Sequence, residues 1–196
     1  MVPVPMKVCL IRPSIVVPAG NQVAMFTPPL GLAYIAGTLR DGGFDVQVID
    51  GVGESLDTRH PVENDCYMYG LTPEEITASI DDDAEIIGVA FGFSFEWPAC
   101  RDLTMLVRQR FPNALMIGGG EHVTAVPEQS LLESALDIGI LGEGEETALV
   151  VCQAYQAGTL DPSTIAGTAY IDKDGNAVVN ERRARKRDLD AIPLPA

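Results

Sequence analysis

The sequence predicts a doubly wound α/β domain built on a five-stranded parallel sheet, followed by a C-terminal β-hairpin and a linker. Three observations lead there. Five short runs are nearly continuous in apolar residues, which is how strands covered on both faces read. Helical patterns alternate with them, and that alternation implies right-handed crossovers between parallel strands. Glycine gathers just beyond the third, fourth and fifth runs, where open parallel sheets hold ligands.

The first strand is Lys7–Arg12, followed by a long loop, residues 13–29, rich in proline and small side chains. Leu30–Asp41 places Leu30, Ala33, Tyr34 and Leu39 near one helical face and stops at Gly42-Gly43. Asp45–Asp50 is the second strand. Thr72-Pro73-Glu74-Glu75 is a capping box with proline at the first helical position. Asp81-Asp82-Asp83 ends that helix, because anions oppose the C-terminal end of its dipole. The third strand, residues 85–91, leads to a helix over 97–111 with Leu103, Leu106, Val107 and Phe111 at helical spacing. A fourth strand at 114–117, a short helix at 127–134, a fifth strand at 137–141 and a helix at 145–157, stopped by Gly158, complete the domain. Five strands so connected predict the Rossmann-like, flavodoxin-like order 2-1-3-4-5. Segments 167–171 and 177–180 flank an Asp174-Gly175 turn and read as a hairpin. That turn lacks the ligand ladder and closing glutamate of a calcium loop. Residues 188–196 read as a linker. Residues 1–160 are thus expected to form the Rossmann-like domain and 161–196 the hairpin and linker.

Composition narrows the class. A chain of 196 residues, 46% of them apolar, can bury a core without staples. No apolar run is long enough to span a bilayer, and the start lacks the basic region and apolar stretch of a secretory signal, so no membrane partner and a cytoplasmic location are expected. The net charge of −15 repels phosphate backbones, which argues against nucleic acid as a partner. Five of the 13 basic residues lie together, at Arg182, Arg183, Arg185, Lys186 and Arg187. They read as a solvated connector or as a docking strip for an acidic neighbouring domain. Cys9, Cys66, Cys100 and Cys152 fit no zinc or iron–sulfur spacing and read as free thiols, with Cys9 and Cys152 in the core.

The carboxyl ends of the strands carry the candidate site. Thr27 and Pro29 close the first loop, Gly92-Phe93-Ser94 follows the third strand, Gly118-Gly119-Gly120-Glu121-His122-Val123-Thr124 the fourth, and Gly142-Glu143-Gly144-Glu145 the fifth. Three successive glycines exceed the need of a tight turn and suit a large flat or elongated ligand pressed on main-chain atoms, with plain strand-to-helix turns as the alternative. A dinucleotide site wants its glycine fingerprint after the first strand, where only Gly20 stands. A flavin phosphate loop finds only Ser14 there. A phospho-receiver wants a lysine after the fifth strand, and the chain has only Lys7, Lys173 and Lys186.

Several segments together resemble a known family. They are Pro28-Pro29-Leu30-Gly31-Leu32-Ala33-Tyr34-Ile35-Ala36, Gly43-Phe44-Asp45-Val46, Ile117-Gly118-Gly119-Gly120 with His122 and Pro127-Glu128, Gly142-Glu143-Gly144-Glu145-Glu146, and Asp188-Leu189-Asp190-Ala191-Ile192-Pro193-Leu194-Pro195. In order and spacing they are similar to the N-terminal cobalamin-binding domain of cobalamin-dependent radical S-adenosylmethionine enzymes, over almost the whole chain. The resemblance implies that cobalamin lies with its corrin on the carboxyl edge and its nucleotide tail in the sheet. It implies that Gly92, Phe93 and Ser94 face the corrin, that Gly118, Gly119, Gly120, His122 and Thr124 line the tail and rim, and that Gly142, Glu143, Gly144 and Glu145 close the other side. Thr27 and Pro29 are further contacts on the first loop.

The family's CxxxCxxC cluster motif is absent here, as is the DxHxxG signature of histidine-on-cobalt enzymes. No residue of the chain is therefore assigned to a metal or to catalysis. His60 reads as a surface loop residue. For His122, axial ligation, a rim contact and a plain loop histidine all stay open. The implied role is a module presenting methylcobalamin to a radical core in cis, itself carrying a 4Fe-4S cluster and S-adenosylmethionine, in a methyltransferase. Glu143 and Glu145 then complement a helix dipole or bond ligand amides. A family-fold domain that has lost the cofactor and recognises a substrate or partner is one alternative. A flavodoxin-like domain for a flavin or nucleotide is another.

Overall fold

The computed structural model describes residues 4–20, 27–184, 188 and 192–196. Arg185, Lys186 and Arg187 of the basic stretch, residues 189–191 of the linker and residues 21–26 of the first loop lie outside the described residues.

The elements run β1 (Lys7–Arg12), β2 (Ile15–Pro18), α1 (Leu30–Asp41), β3 (Asp45–Asp50), β4 (Arg59–Val62), β5 (Cys66–Tyr69), α2 (Pro73–Ser79), β6 (Ile86–Ala90), α3 (Trp97–Arg110), β7 (Leu115–Gly119), α4 (Glu121–Ala125), α5 (Pro127–Glu133), β8 (Ile138–Ile140), α6 (Gly144–Gln156), β9 (Thr168–Ile171) and β10 (Ala177–Val179). One seven-stranded sheet has the order β10-β9-β8-β7-β6-β1-β3. Its five parallel strands follow the expected 2-1-3-4-5 order, with β1 between β3 and β6. The hairpin is part of this sheet, because β9 pairs antiparallel to β8. Its main-chain bonds cover what would otherwise be an open edge.

Strand alternation builds two cores. Along β1, Val8 and Leu10 face one side with Leu32 and Leu39 of α1 and Val151 of α6. Cys9 and Ile11 face the other, with Leu103 and Val107 of α3 and Leu131 of α5. Both faces are buried, so the strands carry apolar residues at consecutive positions.

Local chemistry sets the ends of the elements. Thr72 Oγ1 accepts from the Glu75 N–H at 3.2 Å, and Glu75 Oε2 accepts from the Thr72 N–H at 2.8 Å. The acidic trio does more than end α2. Asp81 and Asp83 lie 3.0 and 2.9 Å from the Lys7 ammonium, and Asp82 lies 2.6 Å from Arg110. These pairs fasten the amino edge of the sheet, opposite the candidate site.

Two expectations change. The long loop expected after the first strand carries a strand near its start: β2 pairs with β5, and with β4 they form a separate three-stranded antiparallel sheet. His60, expected in a surface loop, is a half-buried residue of β4 paired with Met68 of β5. The described part of the linker also packs. Ala196 N–H donates to the Ala33 carbonyl at 3.0 Å, and a side chain on Gly37 would collide with the Leu194 backbone.

Candidate functional site

A cavity of about 260 Å3 opens at the carboxyl edge, between the sheet and the α1–α6 layer. Its floor follows from the register. Leu10 pairs with Gly88 and Gly88 with Ile117; nearer the edge, Ala90 pairs with Gly119 and Gly119 with Ile140. Gly88, Ala90 and Gly119 share one face; Leu10 Cδ2 fills the side-chain space of Gly88, 2.7 Å from where a Cβ would stand, so the open floor lies over Ala90 and Gly119. Leu32 and Ile35 of α1 and Ala148 of α6 form the opposite wall. A Cβ on Gly144 would lie 3.0 Å from Ile35 Cδ1, so the first residue of α6 is also held small. Apart from Glu143 and Glu145 at the mouth, the lining side chains are apolar, as is usual for small-molecule pockets.

Eight expected residues meet around this cavity: Gly92, Gly118, Gly119, Gly120, Gly142, Glu143, Gly144 and Glu145. The glycine triplet divides by task. A Cβ on Gly119 would stand 3.4 Å from the Ile140 carbonyl, in ordinary contact and on the cavity side. Gly118 turns to the other core, where a Cβ would overlap Leu136 and reach within 2.8 Å of Phe91 Cε2. Gly120 has φ +115°, and a Cβ there would overlap the Phe91 carbonyl. Packing and turn geometry thus account for two of the three glycines, and Gly119 alone leaves its side-chain space open to the cavity.

The other six expected residues flank the cavity without lining it. Thr27 is exposed and its carbonyl accepts from Arg12 Nη1 at 2.9 Å. The Pro29 carbonyl accepts from the Ala33 N–H at 3.0 Å at the start of α1. Phe93 is 60% exposed and stacks on Phe95, with ring centroids 5.6 Å apart. Thr124 Oγ1 accepts from the Gly142 N–H at 2.9 Å and so ties the tip of β8 to α4. Ser94 Oγ lies 2.9 Å from His122 Nδ1.

His122 is buried, 5% exposed, and stacks on Trp97 with ring centres 4.4 Å apart. It packs toward the α3 core, away from the cavity, and its Nε2 has no partner among the described residues. Burial lowers its pKa, partly countered by Glu133. Below about pH 6.5 the unfolded chain takes up a proton that the native histidine resists, so native stability falls as pH drops through that window. The urea midpoint of the wild type is expected to fall more between pH 7.5 and 5.5 than that of His122→Gln. Equal falls would remove His122 as the source.

A model of the B12 binding domain matches residues 16–151, more than half of the chain. The chain belongs to the B12-binding domain family. This B12-binding domain is 30% identical over 176 residues to cytidylyl-2-hydroxyethylphosphonate methyltransferase of Streptomyces wedmorensis, covering 88% of the chain and 33% of that protein. It is 28% identical over 183 residues to anaerobic magnesium-protoporphyrin IX monomethyl ester cyclase of Cereibacter sphaeroides, covering 88% of the chain and 26% of that protein. The chain therefore spans about a third or less of the length of these relatives. Its fold matches the cobalamin-dependent S-adenosylmethionine radical enzyme OxsB, solved with aqua-cobalamin bound, with TM-score 0.71, 19% identity, and coverage of 97% of this chain and 24% of that one.

The B12-binding domain has lining residues that the sequence reading passed over. Gly88 interrupts a run of branched residues, and an interior strand glycine is itself a sign of close approach. Leu10 and Ile140 read only as strand core, because a cavity wall and a core face have the same pattern. On α1 the expected face of Leu30, Ala33, Tyr34 and Leu39 is rotated: Leu30 is 59% exposed and Leu32 is buried. Among the described residues, no cluster of His, Cys, Asp and Glu is arranged to hold a metal, and no helix is long and apolar enough to cross a membrane.

Proposed function

We propose that this domain holds cobalamin at the carboxyl edge of its sheet, as the front module of a longer radical S-adenosylmethionine methyltransferase. The observation that carries the reading is the glycine-floored apolar cavity. It has about 260 Å3, below the roughly 300–1,000 Å3 of pockets that engulf drug-sized ligands. An aromatic base with its sugar suits that space, and a corrin does not. The exposed backbone at Gly92, Gly120 and Gly142 would hold the corrin outside the cavity. The residues present therefore fit the two unequal parts of cobalamin.

In this reading residues 1–160 bind the cofactor and residues 161–196 lead toward the radical core. Bound cobalamin supplies the methyl-carrying cobalt, and the cluster and S-adenosylmethionine belong to the core. The chain's own residues position and shield. Ile117 and Ile140 would exclude water, Gly119 would admit the tail, and the α6 N-terminus, with Glu143 and Glu145, would meet polar groups at the mouth. Methyl transfer is favoured because a 30% identical relative carries that name. The four free thiols and the −15 charge fit a reducing, cytoplasmic setting without nucleic acid.

The test is direct. The purified chain, mixed with hydroxocobalamin and desalted, is expected to retain corrin absorbance, shifted toward the tail-displaced form. A folded chain that leaves the column colourless refutes the reading.

A further inference from the structure

The rim carries a buried carboxyl that the glycine-based reading does not use. Glu96 follows β6 in the loop that leads into α3, yet the residue is only 7% exposed. Above it lies Gly92, which is exposed and borders the mouth of the cavity. A Cβ on Gly92 would sit 3.7 Å from Glu96 Oε2. The missing side chain is thus an opening, and a group pressed on Gly92 from outside reaches the carboxyl beneath.

The groups that face Glu96 come from three directions. Arg12 approaches from the end of β1, but its guanidinium is already committed to Asp50 at 3.2 Å and the Thr27 carbonyl at 2.9 Å. The Phe93 N–H faces it from its own loop, and the Cys100 thiol from α3. Burial raises the pKa of Glu96 against the pull of Phe93 and Arg12. The carboxyl stands beside the β1–β6 pair, where the strand order reverses and such sheets bind ligands. A carboxyl oxygen accepts a hydrogen bond from the NH2 group of a primary carboxamide. A ligand carboxylate at the same point offers no donor and sets charge against a desolvated acid.

We propose that Glu96 is a specificity-determining residue that recognises a primary carboxamide of the ligand through the opening at Gly92, and so selects the amidated corrinoid over its carboxylate forms. This rests on the cobalamin reading, since cobalamin's rim is fringed with primary amides.

The experiment compares hydroxocobalamin with its three propionamide-derived monocarboxylic acids, titrated into the purified chain at pH 7 and followed by visible absorbance. One of the three acids is expected to bind wild type about tenfold or more weakly than hydroxocobalamin, as for a site built around a hydrogen-bonding partner that is then lost. In Glu96→Gln, whose amide can donate to a carboxylate, that deficit is expected to shrink to about threefold or less. Glu96→Leu removes a buried polar group, so its fold is expected to survive by circular dichroism while hydroxocobalamin binds about tenfold more weakly. Equal binding of all three acids to wild type, an undiminished deficit in Glu96→Gln, or full affinity in Glu96→Leu each overturns the assignment. If folded wild type binds no hydroxocobalamin at all, the cobalamin reading falls and takes this one with it.

Discussion

Gly119→Val is expected to abolish retention of hydroxocobalamin, with affinity falling by about 100-fold or more, equivalent to about 2.7 kcal/mol. The fold is expected to survive. A Cβ at this position meets Ile140 at 3.4 and 3.5 Å, which is ordinary contact, and valine suits a strand. Its two methyl groups then occupy the space beside Ala90 and Ile140 that the cavity provides. A melting temperature within about 3 °C of wild type, for a chain of this size, marks a change under about 1 kcal/mol. Gel filtration with bound corrin, read beside the melting curve, separates the two effects. Unchanged retention in a folded variant would place the ligand elsewhere.

Gly120→Ala, one residue further on, is expected to do the reverse. Alanine at φ +115° is strained, and its methyl group would overlap the Phe91 carbonyl. That carbonyl cannot step aside freely, because it accepts the His122 N–H at 3.4 Å while the Phe91 N–H donates to Gly119 at 2.7 Å. Strain of about 1–3 kcal/mol and overpacking of similar size combine to a loss of about 3 kcal/mol. The melting temperature is then expected to fall by about 6–12 °C. Any loss of corrin binding should follow the loss of folded protein. A melting temperature equal to wild type would show that the turn is more permissive than its geometry implies.

Much of this molecule was legible in its sequence, for physical reasons that can be named. Parallel strands buried on both sides must be apolar at consecutive positions, so β1, β6 and β7 declare themselves. Thr72 and Glu75 announce a helix start because few other arrangements satisfy the first N–H groups. The small sheet left no such trace. Its strand β4 reads Arg-His-Pro-Val, mostly exposed, and β2 finds β5 some fifty residues away. Pairing of that kind is decided by tertiary context, not by local pattern. At the site, the triplet Gly118–Gly120 looks uniform as letters, yet alternation sends successive residues to opposite faces. Glu96 was invisible for the opposite reason. A glutamate in a loop ordinarily faces water, and only the fold shows this one turned inward.

The Lys7 cluster gives the two ends of the sheet different sensitivities. Asp83 bonds to the Lys7 ammonium, which holds its pKa below the usual carboxylate range. Its share of stability is present at neutral pH and fades as acid protonates it in the native state. Only acid below the ordinary carboxylate range would thus loosen this end by charge loss, whereas the end that carries the site responds earlier, as pH falls below about 6.5 and the buried His122 resists its proton. The amino edge, clasped by ion pairs, and the carboxyl edge, with its buried imidazole, therefore yield at different acidities.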